Sequence, residues 1–402
     1  MTKFTALDDP DLEQTVEAHL QRIVTAVTSH MKPTAIMLRG SFGRGEGSVV
    51  VSDGRTYFLS DYEIDVATLS PFYRSLFRDL SCQMTRELGV ETSLRWVRPD
   101  YMSRDRVGPL PMGAAPITIS LYESRYGSRI LYGQNLIDAG PAVDPRDIRM
   151  DSAAFLMLNR MAESLSYMSR VESQVVDPWE GYYWVNKTLL ACAESLLLLW
   201  GDYHFSYAER GRRFAAKARG TLEFMGEDQT TLAGLVARAT EFKLRPRLSL
   251  YPESLDETWR RVVPICDKVF RHVTSQAFDL GFVHYTELPG RFLQRAASDY
   301  RALPLHRRGA LKLLSLYKCL RVGHLSRALL SPYGISLAVY GIVPLMFVSW
   351  AAEGETLADL LTEIRRRLTP VCRKEAPASD PSIEWDTLRQ QVLWAWKNFC
   401  YL

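Results

Sequence analysis

The first thirty residues carry apolar side chains at helical spacing. These residues recur every three or four positions and are Leu12, Val16, Leu20, Ile23, Val24 and Val27. Such a stripe covers one face of a helix. Asp9 and Asp11 stand at its beginning, where a carboxylate can cap free backbone N–H groups. The pattern predicts an amphipathic helix from about Asp11 to His30.

Shorter apolar runs follow this helix. The run PTAIMLRGS, residues 33–41, indicates a buried strand that enters a glycine-rich loop. Residues 48–68 predict a hairpin around Ser52-Asp53-Gly54, because Asp-Gly is a favoured tight-turn pair. Residues 71–88 predict a helix, residues 90–97 a strand, and residues 115–133 one strand or two.

Helical patterns dominate after about Asp147, and strand signals become rare. The order of elements predicts an α+β fold, with a mixed sheet and flanking helices in residues 1–148. Residues 149–402 are predicted to be mostly α-helical, with a further division near residue 290.

Composition limits the class of protein. With 402 residues, of which 47% are hydrophobic, the chain can bury more than one core. Its six cysteines are scattered without metal-binding spacing, which favours a reducing compartment and argues against structural zinc or a disulfide framework. The first twenty residues lack the apolar segment of a signal peptide, so we expect a cytoplasmic protein. The net charge of +3 is too small to indicate a partner.

Acidic residues alternate in the segment SDYEIDV. Since a strand alternates its side chains between two faces, Asp61, Glu63 and Asp65 share one face. Neighbouring carboxylates repel one another unless a cation compensates them, and Mg²⁺ prefers such oxygen ligands. The segment therefore predicts a divalent-metal site, or alternatively a solvated strand face.

The preceding segment LRGSFGRGEG, residues 38–47, combines four glycines with a serine and two arginines. Glycines let backbone N–H groups approach a phosphate, Ser41 can donate its hydroxyl, and Arg39 or Arg44 can neutralise charge. The segment matches neither the P-loop nor the Gly-x-Gly-x-x-Gly dinucleotide motif. A plain turn is the alternative to a phosphate site.

The two segments together, RGSFGRGEG followed by SDYEID, resemble the signature of the polymerase-β-type nucleotidyltransferase superfamily. The resemblance covers roughly residues 30–130 and implies a nucleotidyltransferase-like N-terminal domain. It implies that Gly40 and Ser41, with Arg44, bind the phosphates of a nucleoside triphosphate. It also implies that Asp61 and Glu63 bind Mg²⁺, or alternatively Mn²⁺.

Members of this superfamily often have a third carboxylate on a following strand, which completes the metal site and deprotonates the acceptor. Glu91 is the residue predicted for this role, with Asp65 and Glu123 as alternatives. Two departures from the family pattern are the long gap between Ser41 and Asp61, attributed to the Asp-Gly hairpin, and a glutamate at the second metal position.

The helical region offers weaker candidates. Lys187 and Glu194 are predicted on one helix face, near aromatic residues that form either a stacking wall or core: Trp179, Tyr182, Tyr183 and Trp184. Basic residues concentrate in 209–220 and 301–327, which suits RNA phosphates, a phosphorylated acceptor or anionic lipid. The uncharged segment 328–352 is read as buried core, with a membrane span or peripheral membrane contact as alternatives.

The sequence therefore predicts an enzyme: a Mg²⁺-dependent nucleotidyltransferase in which Asp61, Glu63 and Glu91 are catalytic. It would transfer a nucleoside monophosphate to a hydroxyl or phosphate of a small or membrane-proximal acceptor. A nucleotide-binding regulatory protein of the same fold and an RNA-modifying transferase are the alternatives.

Overall fold

The computed structural model describes residues 3–52, 54–70, 73–102, 117–138, 140, 142–170, 177–279, 332–369, 371 and 380–400, with scattered positions between 287 and 317. These residues form a mixed α+β fold with a small mixed sheet and a predominance of helices. The predicted fold class is confirmed at this level.

The chain forms two compact units. The first comprises Met1–Ser152, Leu196–Glu223 and Gln229–Pro252, and the second comprises Ala153–Ser195, Phe224–Asp228 and Glu253–Leu402. The predicted domain boundary after residue 148 stays a prediction. The candidate site residues of the first 150 positions belong to the first unit. The same unit contains two helices from the middle of the chain, within Leu196–Glu223 and Gln229–Pro252.

The elements are, in chain order, α1 (Pro10–His30), β1 (Ala35–Arg39), α2 (Gly40–Arg44), β2 (Val49–Ser52), β3 (Arg55–Phe58), β4 (Tyr62–Ala67), α3 (Arg74–Leu88), β5 (Thr92–Val97), α4 (Ile119–Gly127), β6 (Arg129–Gly133), α5 (Asp151–Ser164), α6 (Pro178–Leu199), α7 (Tyr207–Thr221), α8 (Gln229–Leu244), α9 (Leu255–Phe278), α10 (Pro332–Ser349), α11 (Gly354–Leu368) and α12 (Pro381–Phe399). Short 3₁₀ turns lie at Pro145–Asp147, Leu165–Tyr167, Glu223–Asp228 and Leu248–Leu250.

A four-stranded sheet in the order β5-β4-β1-β6 is the centre of the first unit. Strands β4 and β6 run antiparallel to β1, while β5 runs parallel to β4. The even-numbered side chains of β1 and β4 are apolar and pack into a core with α1 and α3. The odd-numbered side chains face the other side of the sheet, where Asp65 lies among the charged groups described below.

Most of the predicted elements are present. Asp9 caps α1 by accepting N–H groups of Asp11 and Leu12, as the sequence indicates. The hairpin is confirmed by the pairing of β2 with β3, in which Ser52 lies opposite Arg55. Asp53, at the predicted turn, lies outside the described residues.

The strand prediction for residues 115–133 is wrong in part. Residues Ile119–Gly127 form helix α4, whereas Arg129–Gly133 forms the strand β6. The helix begins where the Thr118 side chain accepts the Leu121 N–H at 3.1 Å, a cap that competes with an extended conformation.

The uncharged segment 328–352 is mainly core in its described part. Helix α10 packs against α9, α11 and α12 within the second unit. Its buried side chains include Ile335, Val339, Val343 and Phe347. Over the described ranges, no helix combines the length and apolarity needed to cross a bilayer. Several basic residues of the 301–327 segment lie outside the described residues: Arg307, Lys318, Arg321 and Arg327.

The second-unit core supplies a stability test. Trp385 of α12 is completely buried, and its indole N–H donates to the Ser349 hydroxyl at 2.8 Å. Replacing it with alanine removes this contact and leaves a cavity, so we expect Trp385→Ala to lower the free energy of unfolding by about 3–5 kcal/mol. Urea denaturation followed by circular dichroism measures this change. Trp394→Ala, a partly exposed site on the same helix, is the matched control, and equal losses would contradict the described packing.

Candidate functional site

The Gly40-Ser41 turn lies directly beside Glu63. In the β1–β4 pairing Arg39 is opposite Glu63, so β1 ends where the acidic residues of β4 begin. Gly40 has a φ of +65°, and a Cβ there would lie 2.3 Å from Glu63 Oε1. Glycine is therefore required both for the backbone angle and for the space that the carboxylate occupies. The predicted glycine loop is in fact the five-residue helix α2, which ends at Gly45 with φ +79°.

Asp61 and Glu63 form the acidic pair that the sequence predicts. Asp61 directly precedes β4 and is half-buried, as is Glu63. Burial raises the pKa of Glu63, and the negative charge of Asp61 raises it further, while Arg39 and Arg44 lower it. The two carboxylates are thus close enough to repel, which favours a cation beside them.

Asp65, an alternative third carboxylate, is fully occupied by other groups. Arg95 donates to its two oxygens from Nε and Nη2, each at 2.8 Å. Tyr101 donates its hydroxyl to Oδ2 at 3.2 Å, and Arg39 Nη1 lies 3.5 Å from Oδ1. Asp65 is 1% exposed, so this geometry gives it a structural role.

Glu123, the other alternative, is also engaged. It accepts the Tyr203 hydroxyl at 2.7 Å, pairs with Arg44 Nη1 at 3.2 Å and is hydrogen-bonded by Arg210. Burial alone would raise the pKa of Glu123, but Arg44, Arg210 and the Tyr203 hydrogen bond together lower it to about 2. Glu123 therefore holds α4 to α2 and α7.

Glu91, predicted as the third carboxylate, is exposed and immediately precedes β5. Its carbonyl accepts the Tyr62 N–H at 2.8 Å, which continues the parallel pairing of β4 with β5. Within β5 the residues in register with Glu63 and Asp65 are Ser93 and Arg95, neither of which is acidic. The assignment of Glu91 as a metal ligand and base stays a prediction.

Arg44 was predicted to bind nucleotide, and the structure places its side chain in the interior. Besides its pair with Glu123, its guanidinium lies over the Tyr207 ring at 4.9 Å from the centroid. Glu46, two residues on, accepts the Ser206 hydroxyl at 2.7 Å and the backbone N–H groups of Tyr207 and Ala208. The second half of the glycine-rich segment is thereby fixed to the beginning of α7.

Lys243 of α8 is the site residue that sequence reasoning missed. Its ammonium donates to Ser41 Oγ at 2.9 Å and to Ser60 Oγ at 3.0 Å, and the residue is 2% exposed. Its own carbonyl accepts the Ser48 hydroxyl at 2.6 Å. Lys243 thus joins the Gly-Ser turn to the residue before Asp61. A signal existed, because Lys243 continues the apolar stripe formed by Leu232, Val236 and Ala239 at helical spacing.

The acidic pair fits one kind of metal site. Mg²⁺ commonly takes one or two carboxylates and completes its shell with waters and substrate phosphates, which Asp61 and Glu63 can supply in part. A site built from protein ligands alone does not fit, since the described residues contain no group of three His, Cys, Asp or Glu arranged to hold a metal.

The candidates of the helical region have local partners. Lys187 lies over the rings of Trp184 and Tyr183 at 4.5 and 4.9 Å. Tyr182 is buried and donates to the Glu253 carbonyl at 2.7 Å, while Glu194 is also buried. These contacts are typical of packing residues.

The basic run 209–220 is partly neutralised by acids of the first unit. Arg210 pairs with Glu123, Arg212 and Arg213 share Glu209, and Lys217 lies 3.3 Å from Asp202. Arg212 and Arg219 are exposed, so part of the positive charge stays at the surface.

No protein-family model, curated protein or solved structure matches the chain. Any assignment of function therefore depends on the geometry of this site.

The close approach at Gly40 gives a prediction with an internal control. Gly40→Ala must displace the Glu63 carboxylate and strain the backbone, whereas Gly54→Ala, at φ +70°, has no described atom within 4 Å of the added Cβ. We expect the positive φ to cost about 1–2 kcal/mol in both variants. Only Gly40→Ala should also weaken binding at the Asp61–Glu63 pair, measured by Mn²⁺ titration. Equal Mn²⁺ binding in the two variants would show that Gly40 does not shape the site.

The low pKa of Glu123 predicts a pH-dependent contribution to stability. Because its folded pKa of about 2 lies below its usual value, the stabilisation is complete above about pH 5 and is lost as the pH falls towards 2. Glu123→Gln should lower the free energy of unfolding by about 3 kcal/mol at pH 7. Denaturant titrations at pH 7, 5 and 3 should show the difference from wild type shrinking with acidity. Glu17→Gln, at an exposed position of α1, is the control, and a pH-independent deficit in Glu123→Gln would contradict the pairing.

Proposed function

We propose that this protein is a Mg²⁺-dependent nucleotidyltransferase of the polymerase-β-type superfamily, with the nucleotidyltransferase-like fold in its first unit. One observation carries the proposal: the β1–β4 register sets the Gly40-Ser41 turn against Glu63, beside Asp61. The hairpin β2–β3 accounts for the long gap between Ser41 and Asp61, so the gap does not separate the two halves in space.

In this proposal the triphosphate binds beside Gly40 and Ser41. Lys243 supports this assignment, since its ammonium already reaches the Ser41 hydroxyl and would supply positive charge beneath a phosphate. Arg44 acts indirectly, through its ion pair with Glu123. Asp61 and Glu63 would hold Mg²⁺, which when bound supplies charge neutralisation to the phosphates.

The reaction joins an oxygen of the acceptor to the α-phosphorus of the nucleotide. The bond between that phosphorus and the oxygen bridging to the β-phosphate breaks, and pyrophosphate leaves with the bonding electrons. A hydroxyl acceptor also gives up a proton, for which Glu91 is the proposed recipient. A phosphate acceptor has no such proton to lose at neutral pH.

The proposed acceptor is small or membrane-proximal, and the proposed location is cytoplasmic. Ion pairs engage Arg210, Arg212, Arg213 and Lys217, which reduces the charge that this run offers to RNA and supports a small acceptor. The basic segment 301–327 stays a proposed contact for membrane or RNA, and most of it lies outside the described residues.

A second candidate is a regulatory protein that binds nucleotide without turnover. It is favoured by the β5 positions in register with Glu63 and Asp65, which carry serine and arginine where a third carboxylate would complete a transferase site.

Nucleotide binding tests what both candidates share. We expect a nucleoside triphosphate with Mg²⁺ to raise the melting temperature, since a 100-fold excess over Kd stabilises the folded state by about 2.7 kcal/mol. Asp61→Asn and Glu63→Gln should abolish the Mg²⁺-dependent shift, while Asp79→Asn, on the exposed face of α3, should keep it. A shift that is unaffected by the two site variants, or absent with all four triphosphates, contradicts the proposed site.

Glu91 distinguishes the two candidates. If it deprotonates the acceptor, Glu91→Gln should keep the nucleotide-induced stabilisation and slow pyrophosphate release by about 100-fold or more. A coupled pyrophosphatase assay measures release, with water, added alcohols and anionic hydroxyl compounds such as glycerol phosphate or lactate as acceptors. If the wild type binds nucleotide but releases no pyrophosphate, the regulatory protein is favoured. If Glu91→Gln releases pyrophosphate as fast as the wild type, Glu91 is not the base.

A further inference from the structure

Arg95 is a rigidly held guanidinium on the sheet face that carries the acidic pair. It lies on β5 in register with Asp65, and in-register residues of parallel strands share a face. Its Nε and Nη2 donate to the two oxygens of Asp65 at 2.8 Å each. This pair uses one edge of the guanidinium, and the side chain remains 50% exposed.

Two guanidinium groups lie beside Asp65. Its carboxylate pairs with Arg95 and Arg39 and also accepts the Tyr101 hydroxyl. Arg39, whose side chain is 10% exposed, lies 3.5 Å from Asp65 and is opposite Glu63 in the β1–β4 pairing, so it serves the interior. Arg95 is the more exposed of the two arginines and is the one that solvent, or a ligand, can reach.

Arg95 is also close to the proposed reaction centre. In the β4–β5 pairing Ser93 lies opposite Glu63, and Arg95 is two residues further along the same face of β5. Burial lowers the pKa of Arg95, but the hydrogen bond and charge of Asp65, with a smaller contribution from Glu63, raise it. An arginine whose side chain is half exposed, and whose orientation is fixed by a buried carboxylate, is suited to bind a phosphate or carboxylate through paired hydrogen bonds.

We infer that Arg95 binds an oxyanion group of the acceptor, a phosphate or a carboxylate, so that the acceptor is an anion positioned next to Asp61 and Glu63. The inference rests on the proposed nucleotidyltransferase function and names the class of its second substrate. Asp65 acts as a positioning residue for Arg95. Neutral sugars and alcohols are correspondingly poor acceptors.

The test is a titration of simple oxyanions. The protein is first saturated with Mg²⁺ and a non-hydrolysable triphosphate analogue, whose stabilisation is recorded by itself. Methyl phosphate and acetate are then titrated separately, with the melting temperature as the measurement. The variants are Arg95→Gln, Arg95→Lys, which keeps the charge beside Asp65, and Arg98→Gln. Arg98 is the matched control because it follows β5, is exposed and pairs with Asp100 at 3.0 Å.

We expect one of the two oxyanions to raise the melting temperature of the wild type beyond the value with the analogue alone. The same oxyanion should raise the melting temperature of Arg98→Gln by an equal amount. In Arg95→Gln the apparent affinity for this oxyanion should fall at least tenfold. The oxyanion affinity of Arg95→Lys should lie between those of the wild type and Arg95→Gln, because lysine keeps the charge but cannot form paired hydrogen bonds. The oxyanion that gives the larger effect identifies the group on the acceptor. Equal oxyanion affinity in wild type and Arg95→Gln, or no oxyanion effect on wild type, overturns the inference.

The two proposals fail in different measurements. Absence of any shift with the triphosphate analogue contradicts the nucleotidyltransferase proposal. In that case the oxyanion titration is repeated without nucleotide, and the comparison of Arg95→Gln with Arg98→Gln still decides whether Arg95 is an oxyanion site.

Discussion

The buried ammonium of Lys243 is the interaction on which the candidate site depends. Burying a charge is costly. The ammonium donates to two serine hydroxyls, Ser41 and Ser60, and lies over the Tyr207 ring at 5.1 Å, contacts that lower this cost. Each serine adjoins a functional feature, the Gly40 turn or Asp61. A single side chain from a helix some 200 residues away in sequence thus fixes the turn and the acidic pair in one arrangement.

A second set of charges holds this arrangement to its surroundings. Glu123 links α4 to Arg44 and Arg210, and Glu46 caps the first turn of α7. A buried network of this kind is favourable only when nearly all of its members are paired, so it tolerates few alternative geometries. On this face of the sheet Asp61 and Glu63 are half-buried and the Arg95 side chain is half exposed, and we propose that these groups contact the substrates.

Sequence reasoning predicted the elements that depend on local pattern. The amphipathic helix α1, the hairpin and the placement of the acidic residues on β4 follow from helical spacing, turn chemistry and strand alternation. Helix α4 was missed because residues 117–121, which lead into it, alternate apolar and polar side chains as a strand does. The Thr118 cap instead favours a helix from Ile119 onward.

The rest of the site was beyond the reach of the sequence because it depends on contacts between distant segments. No local pattern reveals that Lys243 meets Ser41, or that Asp65 is taken up by Arg95. The role of Glu91 likewise depends on how the parallel strands β4 and β5 are aligned, and this alignment brings Ser93 and Arg95 opposite the acidic residues.

The most direct test of the central claim is to locate the metal. A crystal of the protein with Mn²⁺ and a non-hydrolysable nucleoside triphosphate analogue would show the ion by its anomalous scattering. Our account predicts a peak coordinated by Asp61, Glu63 and phosphate oxygens, with the triphosphate beside Ser41. Mn²⁺ bound elsewhere, or a triphosphate bound away from the Gly40-Ser41 turn, would contradict it.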